Sequence, residues 1–323
     1  MRTNERLVVS VWMITYNHEP YIAQAIEGVL MQKTTFSIEL VIGEDCSTDN
    51  TVSIIKEYVK KNPSLIKARF NQPNMGMAPN MVKTLEECQG KYIAMCEGDD
   101  YWTDPYKLQK QVDFLEQNLE YSICGGLVNY FYAERNIFEK FLIPNEESYP
   151  KGRVVTLDNY MNPYILRTAT ICFRKEIIEK IYSFEKCVDV ILFAIALERG
   201  AGFVFNEVFA VYRKHNAGVW TGLNNTQKIL FDIENFKELY KHYHSKSKSI
   251  REIFLKRNFD LFITDYKLYK DKKNKKLTVF DFIQFLISRK SIGISYVMIC
   301  KYLYVYTKRR IKRPFDRNYY FEK

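Results

Sequence analysis

The sequence predicts an α/β fold in which a mostly parallel sheet is covered by helices on both faces. Over residues 7–132, apolar runs of strand length alternate with segments of helical periodicity. Strands and helices that alternate in this way form βαβ units, whose strands lie parallel. Polar clusters follow three of the apolar runs. In parallel sheets this is the edge at which ligands bind.

The elements of this region follow from two periodicities. Short apolar, β-branched runs bounded by polar residues predict strands at residues 7–15, 40–45, 66–71, 92–97 and 122–132. Apolar residues that recur every three or four positions predict helices at residues 20–32, 49–61, 77–88 and 105–118. Pro105 favours the start of the last helix, because the first helical turn needs no N–H from that position.

The pattern is less regular after residue 132. Further strands are expected at residues 167–173 and 203–212, and helices at residues 175–182 and 189–199. From residue 226 onward the chain is predicted to be helical and basic. We therefore divide the chain into a domain of residues 1–225 and a helical basic C-terminal extension of residues 226–323, with the first domain subdivided at residue 132.

Composition and charge narrow the class of protein. An apolar content of 47% is ordinary for a globular chain. The net charge of +10 comes from residues 226–323, which contain 24 Lys and Arg against 10 Asp and Glu. The 7 cysteines include no C-x-x-C pair and lie mostly in apolar surroundings, which favours reduced thiols in the cytoplasm. Neither a secretory signal nor a transmembrane run is predicted.

The most informative motif is the acidic block from Glu97 to Pro105. Asp99 and Asp100 are adjacent carboxylates that follow the apolar run at residues 92–96. Mg²⁺ and Mn²⁺ prefer carboxylate oxygens and share their coordination shell with substrate phosphates, so the pair is expected to hold a metal and a diphosphate. The alternative is a solvated turn in which Asp99 or Asp104 caps the next helix.

Two more polar clusters follow predicted strands. Residues 15–19 read Thr-Tyr-Asn-His-Glu, and residues 44–49 read Glu-Asp-Cys-Ser-Thr-Asp. Each cluster alone is compatible with ordinary loop chemistry. Because the C-terminal ends of parallel strands share one edge, we expect both clusters to converge with the acidic block in a single site.

These motifs resemble the inverting glycosyltransferases of family 2, which have the GT-A fold and use nucleotide-diphosphate sugars. The resemblance covers roughly residues 7–132 and continues more weakly to Trp220, whereas residues 226–323 match no signature. The segments that carry it are residues 15–19, 43–51, 74–76, 90–94 and 97–105.

The resemblance implies a donor site in the first half of the domain. Asp45 would accept a hydrogen bond from a uracil or thymine base, and Asp99 would bind the ribose or a metal-bound water. Asp100 would ligate a divalent ion, Mn²⁺ or Mg²⁺. The nucleotide-base pocket would be lined by Thr15, Tyr16, Asn17 and Glu19.

The acceptor side, residues 133–225, would supply the rest of the site. Asp189, at the head of an apolar helix, would be the general base that deprotonates the acceptor hydroxyl, and a helix cap is the alternative role. His215 would be a further metal ligand or an ordinary histidine. Trp102 and Trp220 would pack their rings against the acceptor sugar or lie in the core. Arg213 would balance the charge of the diphosphate or pair with a carboxylate. His18 is expected to be structural.

The resemblance therefore implies a metal-dependent inverting glycosyltransferase. It would move a sugar from a UDP- or dTDP-sugar to a saccharide or lipid-linked saccharide in bacterial surface polysaccharide synthesis. A nucleotidyltransferase and a catalytically inactive scaffold remain as alternatives. The first of these would usually carry a Gly-rich loop where residues 15–19 stand.

Three roles are open to the basic extension of residues 226–323. It could bind the anionic inner surface of the membrane, pack on the catalytic domain or a second subunit, or bind nucleic acid. The first two are favoured, so we expect a cytoplasmic enzyme that is peripheral at the inner face of the membrane. A cluster suited to that role is Lys308-Arg309-Arg310-Ile311-Lys312-Arg313.

Overall fold

The structure is a computed structural model that describes residues 7–140, 150–161, 165–184, 188–216, 218 and 222–254. The chain divides into two compact units, Met1–Gly222 and Leu223–Lys323. The described strands all belong to the first unit. The expected functional division at residues 132 and 225 stays a prediction.

The first unit is built from strands and helices with the following bounds. The strands are β1 (Leu7–Thr15), β2 (Ser37–Glu44), β3 (Ile66–Phe70), β4 (Tyr92–Met95), β5 (Tyr101–Trp102), β6 (Tyr121–Tyr132), β7 (Ile137–Lys140), β8 (Gly152–Val155), β9 (Cys172–Arg174) and β10 (Ala201–Lys214). The α-helices are α1 (Ile22–Leu30), α2 (Thr51–Lys61), α3 (Met77–Glu87), α4 (Lys107–Gln117) and α5 (Asp189–Arg199). Two 3-10 helices cover Thr168–Thr170 and Lys175–Ser183.

The strands form one sheet with the order β3-β2-β1-β4-β9-β6-β10-β5, and β7 and β8 pair with β6 and β10. The pairs β2–β3, β1–β2, β1–β4 and β6–β10 are parallel, whereas β9 runs antiparallel to both of its neighbours. The predicted α/β class with a mostly parallel sheet is therefore confirmed. The alternating strands and helices of residues 7–132 lie where the periodicity placed them, with ends that differ by a few residues.

One predicted element differs in kind. The segment at residues 167–173, expected to be a strand, starts with a 3-10 turn and pairs only from Cys172. Both the backbone N–H and the hydroxyl of Thr170 donate to the carbonyl of Arg167, at 2.8 and 2.9 Å. This local bonding satisfies the backbone within the turn, so the segment leaves the sheet before the short β9 begins.

The core explains why the sheet is continuous. In β1 the side chains of Val9, Val11 and Met13 are buried, as are Trp12 and Ser10 on the opposite side. A strand that is buried on both sides has to be covered by helices on both faces. The periodicity places Ile22, Ala25, Ile26, Val29 and Leu30 on one face of α1. The first four are buried, and Leu30 is half-buried.

The second unit is described only as far as residue 254. Its helix α6 (Asn225–Tyr243) begins with a capping box between Asn224 and Gln227, in which each side chain bonds the other's backbone N–H. In the part of the chain that the structure describes, no helix combines the length and the apolar character needed to cross a membrane. The predicted basic cluster at residues 308–313 lies outside the described residues.

A fully buried lysine lies beneath the acidic block. The ammonium of Lys107 lies 3.9 Å from the ring centroid of Trp102 and donates to Oε1 of Gln111 at 2.7 Å. Burial lowers the pKa of Lys107 to about 8, although nearby cysteines, Cys172 first among them, oppose that shift. The folded chain therefore holds this proton less tightly than the unfolded chain does.

We expect Lys107→Met to change how stability depends on pH. Between pH 8 and pH 10.5 the unfolded chain binds this proton and the folded chain has released it, so wild-type stability rises with pH in that window. The stability of Lys107→Met relative to wild type should therefore fall by roughly 3 kcal/mol from pH 7 to pH 10. Urea denaturation at the two pH values measures it, with exposed Lys60→Met as the control. An unchanged difference would contradict the prediction.

Candidate functional site

Three loops meet at one edge of the sheet because of the register of β1. Thr15 at the end of β1 pairs with Glu44 at the end of β2, whereas Met95 at the end of β4 pairs with Trp12, three residues earlier on β1. Two backbone bonds continue this alignment past the strand ends, from the N–H of Asp45 to the carbonyl of Thr15 and from the N–H of Gly98 to the carbonyl of Ile14, each 3.0 Å long. The predicted convergence of the polar clusters is therefore observed.

The first two loops are joined by side chains. The amide oxygen of Asn17 accepts from the N–H of Thr48 at 2.8 Å, and the N–H of Asn17 donates to the hydroxyl of Ser47 at 2.8 Å. Asn17 itself has a φ of 53°, a conformation that asparagine tolerates better than most residues. Both carboxylate oxygens of Glu19 accept from Asn50, at 2.7 and 3.1 Å. These two side chains thus hold the loops together.

The carboxylate of Asp45 is also committed to the protein. Its Oδ1 accepts from Nδ2 of Asn71 at 2.9 Å and from the N–H of Met75 at 3.0 Å, and its Oδ2 accepts from the N–H of Gly76 at 2.8 Å. A carboxylate offers about four lone-pair positions, so three of them are used. The role of Asp45 in reading a base stays a prediction, and Oδ2 is the oxygen with capacity left for it.

The acidic block places three carboxylates on one turn. Burial, followed by the charge of Asp99, raises the pKa of Glu97 to about 7 against an opposing hydrogen bond with Thr168. Burial and the charges of Asp99 and Glu97 raise the pKa of Asp100 well above its ordinary value. Asp104, further along, accepts from the N–H of Tyr106, the N-cap residue of α4, so its bond lies in the turn before the helix. The alternative prediction that Asp99 or Asp104 caps this helix is not observed, because α4 has no side-chain cap bond.

Arg213, at the end of β10, anchors this turn. Its guanidinium donates to the backbone carbonyl of Asp99 at 2.5 Å and to the side chain of Gln24, and its backbone N–H donates to Oδ1 of Asp100 at 2.8 Å. The guanidinium also lies 4.5 Å from the ring centroid of Tyr101 and 5.1 Å from that of Tyr21. Arg213 therefore ties β10 and α1 to the acidic block.

Two histidines converge on Asp99. Nε2 of His215 lies 3.1 Å from Oδ2 of Asp99, and Nε2 of His18 lies 3.8 Å from the same oxygen. Burial opposes it, but the hydrogen bond with His215 and the charges of both histidines hold the pKa of Asp99 below its ordinary value. One ligand atom from each of the three residues lies within 4.8 Å of the others. This donor set can hold a divalent metal ion.

The other side of the acidic block faces the predicted general base. Asp189 is the first residue of α5 after the N-cap residue Val188, and its Oδ1 accepts from the N–H of Val190 at 2.8 Å. Its carboxylate is close enough to Glu97 to raise the pKa of that group further. Asp189 is thus at the helix head that the sequence predicted, half-buried and beside the acidic block.

The two tryptophans have different outcomes. Trp102 is buried, and its indole N–H donates to the carbonyl of Ala169 at 2.7 Å. It therefore takes the core-packing role that was one of its two predicted roles. Trp220 lies outside the described residues.

The structure brings most of the predicted residues together and adds two. Thr15, Tyr16, Asn17, Glu19, Asp45, Asp99 and Asp100 line the three loops, and His215 meets Asp99 rather than Asp100. His18, which is expected to be structural, brings its Nε2 within 3.8 Å of Oδ2 of Asp99, and that expectation stays a prediction. The effect of the Asp189 charge on Glu97 was not predicted. His18 and Glu97 both belong to motifs that the sequence analysis identified. Their neighbours come from other loops, and the distances between loops cannot be predicted from the sequence.

The comparisons with known proteins agree with this geometry. A sequence profile described as "Glycosyl transferase family 2" matches residues 10–182. An uncharacterized protein of Mycobacterium tuberculosis is 34% identical over 216 residues, which are 66% of this chain and 60% of that protein. The chain thus spans about 60% of the length of this relative. A putative teichuronic acid biosynthesis glycosyltransferase, TuaG of Bacillus subtilis, is 28% identical and is matched over 72% of this chain and 90% of its own length.

Solved structures show the same fold. TarS of S. aureus, crystallised in complex with UDP-GlcNAc, aligns with a TM-score of 0.60 at 20% identity, over 78% of this chain and 73% of its own. The mannosyltransferase PcManGT from Pyrobaculum calidifontis, in complex with GDP-Man and Mn²⁺, aligns with a TM-score of 0.53 at 15% identity, over 93% and 83% of the two chains. Both likenesses concern the fold.

We expect Asp45→Asn to destabilise the protein. An asparagine keeps one oxygen, so its N–H₂ group would face either the N–H of Gly76 or the donors of Asn71 and Met75, and a buried donor that loses its acceptor is costly. The expected loss is roughly 2–3 kcal/mol in the free energy of unfolding. Urea denaturation measures it, and Asp113→Asn, on the exposed side of α4, is the matched control. Equal stability of the two variants would show that the Asp45 contacts contribute little.

Proposed function

This chain belongs to glycosyl transferase family 2, and from that membership we propose that it transfers a sugar from a nucleotide-diphosphate donor to an acceptor hydroxyl with inversion at the anomeric carbon. The observation that carries the proposal is the meeting of the carboxylates of residues 97–100 with the histidine pair on Asp99 at one sheet edge. The charge of Asp189 also acts on Glu97 of this turn. A donor diphosphate, a cation and an acceptor hydroxyl each find suitable groups there.

The donor is proposed to be a UDP- or dTDP-sugar held against the first two loops. Tyr16 is 44% exposed at the end of β1, so its ring is available to a base. Thr15 supplies the strand end, while Asn17, Glu19 and Asp45 fix the shape of the pocket through their loop contacts. UDP-GlcNAc in the TarS complex is consistent with a uridine donor.

A divalent ion, Mn²⁺ or Mg²⁺, fits the acidic block. Three carboxylates lie on one turn, those of Glu97, Asp99 and Asp100. The guanidinium of Arg213 brings a single positive charge to that turn. We propose Asp99 and His215 as the residues that hold the ion, with Asp100 as a further ligand as the sequence predicts. When bound, the ion supplies Lewis-acid stabilisation of the diphosphate leaving group.

Asp189 is the proposed general base. This proposal is supported by the position of Asp189 at the start of α5 and by the effect of its charge on the pKa of Glu97 in the acidic block. There it would take the proton from the acceptor hydroxyl as the hydroxyl attacks the anomeric carbon. Glu97, whose pKa is raised to about 7, holds a proton more readily than an ordinary carboxyl and so limits the repulsion between the two groups.

The acceptor is proposed to be a saccharide or lipid-linked saccharide of a bacterial surface polysaccharide. The relative TuaG is named for teichuronic acid biosynthesis, and the basic residues of the C-terminal extension suit an anionic membrane surface. The enzyme would then act in the cytoplasm, peripheral at the inner face of the membrane.

A panel of nucleotide-sugars tests the catalytic proposal. With Mn²⁺ present, we expect one uridine or thymidine diphosphate-sugar to bind and to be slowly hydrolysed. Asp100→Ala should weaken binding, because a carboxylate leaves the metal site. Asp189→Asn should keep binding and lower turnover by about 10²–10⁴-fold, the usual contribution of a general base. Calorimetry measures binding, and released nucleotide measures turnover.

The matched control is Glu176→Gln, which removes an exposed carboxylate from the 3-10 helix that precedes α5. It should behave as wild type in both assays. If no nucleotide-sugar binds with or without metal, the catalytic proposal fails and the scaffold alternative takes its place. Undiminished turnover in Asp189→Asn would assign the base elsewhere.

The membrane proposal predicts salt-sensitive binding to anionic vesicles. Replacement of the five basic residues in the 308–313 cluster by serine should reduce co-sedimentation with phosphatidylglycerol vesicles, since each basic residue near the surface contributes about 1 kcal/mol. Phosphatidylcholine vesicles are the control. Equal sedimentation with both lipids would reject a membrane role for the cluster.

A further inference from the structure

His18 lies at the centre of the site without a hydrogen-bonding role that explains its position. It belongs to the loop after β1, whereas Asp99 and His215 belong to the loops after β4 and β10. Its backbone N–H donates to the hydroxyl of Thr51 at 2.9 Å, so the loop contacts fix where the imidazole stands. The ring is therefore brought to Asp99 by the fold rather than by a bond to that carboxylate.

The imidazole of His18 is half-buried, and its buried Nδ1 is unsatisfied. Its side chain is 15% exposed, and Nδ1 has no hydrogen-bond partner among the described residues. The 3.8 Å between its Nε2 and Oδ2 of Asp99 is too long for a hydrogen bond. Buried polar groups in native proteins are nearly always satisfied, so this ring requires an explanation.

The distances fit a single metal ion. Two ligand atoms that each lie about 2.1 Å from one ion are roughly 3–4 Å apart, depending on the angle between them. The Nε2 atoms of His215 and His18 lie 3.1 and 3.8 Å from the same oxygen of Asp99. With 22% of its side chain exposed, Asp99 leaves a route to solvent, whereas His215 is only 4% exposed.

We propose that His18 is a metal ligand, and that its imidazole joins Asp99 and His215 in a centre that prefers a first-row transition ion over Mg²⁺. The inference rests on the proposed function for the role of the ion and for Asp99, His215 and Asp100 as ligands, and it adds a second imidazole and the class of metal. Asp99 supplies the carboxylate oxygen, and the two loops that flank it supply the nitrogens.

The preference follows from donor chemistry. Mg²⁺ favours oxygen ligands and near-ideal octahedral geometry, and it gives up its water reluctantly. Imidazole nitrogen is a better donor for first-row transition ions, with affinity rising from Mn²⁺ to Co²⁺. Two imidazoles among the protein ligands therefore shift the site away from Mg²⁺. Four protein ligands still leave coordination positions of a six-coordinate ion for diphosphate oxygens.

The test is direct metal binding by the full chain, without a sugar donor. Chelator-treated protein is titrated with Mn²⁺, followed by the electron paramagnetic resonance of free Mn²⁺, and with Co²⁺, followed by visible absorbance. Mg²⁺ is added as a competitor. We expect one site that binds Co²⁺ more tightly than Mn²⁺, and Mn²⁺ at least tenfold more tightly than Mg²⁺. Each titration is repeated with UDP.

The variant His18→Gln isolates the proposed ligand. Loss of one imidazole should lower Co²⁺ affinity at least tenfold and change Mg²⁺ affinity much less. The preference of the site for Co²⁺ over Mg²⁺ should therefore become smaller. His244→Gln is the matched control, because His244 is exposed just after α6. Unchanged Co²⁺ affinity in a folded His18→Gln protein would overturn the proposal.

A second measurement needs no variant. The chain has 4 histidines, so its imidazole proton signals can be counted by NMR. Substoichiometric Mn²⁺ should strongly broaden the signals of His18 and His215. The signals of His242 in α6 and of its C-cap residue His244 should stay sharp. Broadening of one signal only, or equal affinity for Mg²⁺ and Mn²⁺, would overturn the proposal. So would the absence of metal binding both with and without UDP.

These outcomes are separable from the proposed function. Nucleotide-sugar turnover that survives His18→Gln with unchanged metal selectivity would leave the transferase proposal standing and remove His18 from the centre. Metal binding that depends on His18, in a protein that turns over no nucleotide-sugar, would support His18 as a ligand and reject the transferase proposal.

Discussion

The site depends on the repulsion among Glu97, Asp99 and Asp100, three carboxylates held within four residues of one turn. Such a turn is stable only when cations and donors surround it, and the fold brings them from three directions. Arg213 donates to the turn from β10, and the histidines approach Asp99 from the loops after β1 and β10. The long strand β10 is thus tied to the turn, because it contains Arg213 and is followed directly by His215.

The rigidity of the donor side has a different origin. Asn17, Glu19 and Asp45 belong to the residues that family resemblance assigns to nucleotide binding, yet their side chains bond other loops. Oriented groups that are fixed before a ligand arrives lower the entropic cost of binding. A polar residue at a strand end can therefore serve a ligand by holding the loop that meets it. This explains why short polar side chains recur there.

The sequence predicted what local periodicity and sheet topology control. The shared edge of β1, β2 and β4 follows from the alternation of strands and helices, so the three clusters could be brought together without coordinates. Contacts that depend on side-chain direction could not be predicted. The approach of His18 to Asp99 needs the loop geometry fixed by Thr51, and the burial of Lys107 against Trp102 needs the position of α4. The 3-10 turn at Thr168–Thr170 replaced a strand because its bonds are local.

The acidic block faces two different neighbourhoods, and this separation has a chemical consequence. Asp99 lies beside imidazoles that keep its pKa low, so it stays ionised and available to a cation. Glu97 lies beside Asp189, where burial and like charge raise its pKa to about 7. Carboxyls that are two residues apart thereby acquire opposite tendencies, which suits the proposal that one side binds a cation and the other lies near the general base. Because Gly98 separates them and a Cβ there would lie 2.7 Å from the hydroxyl of Thr15, the turn has no room for a larger residue between the two carboxyls.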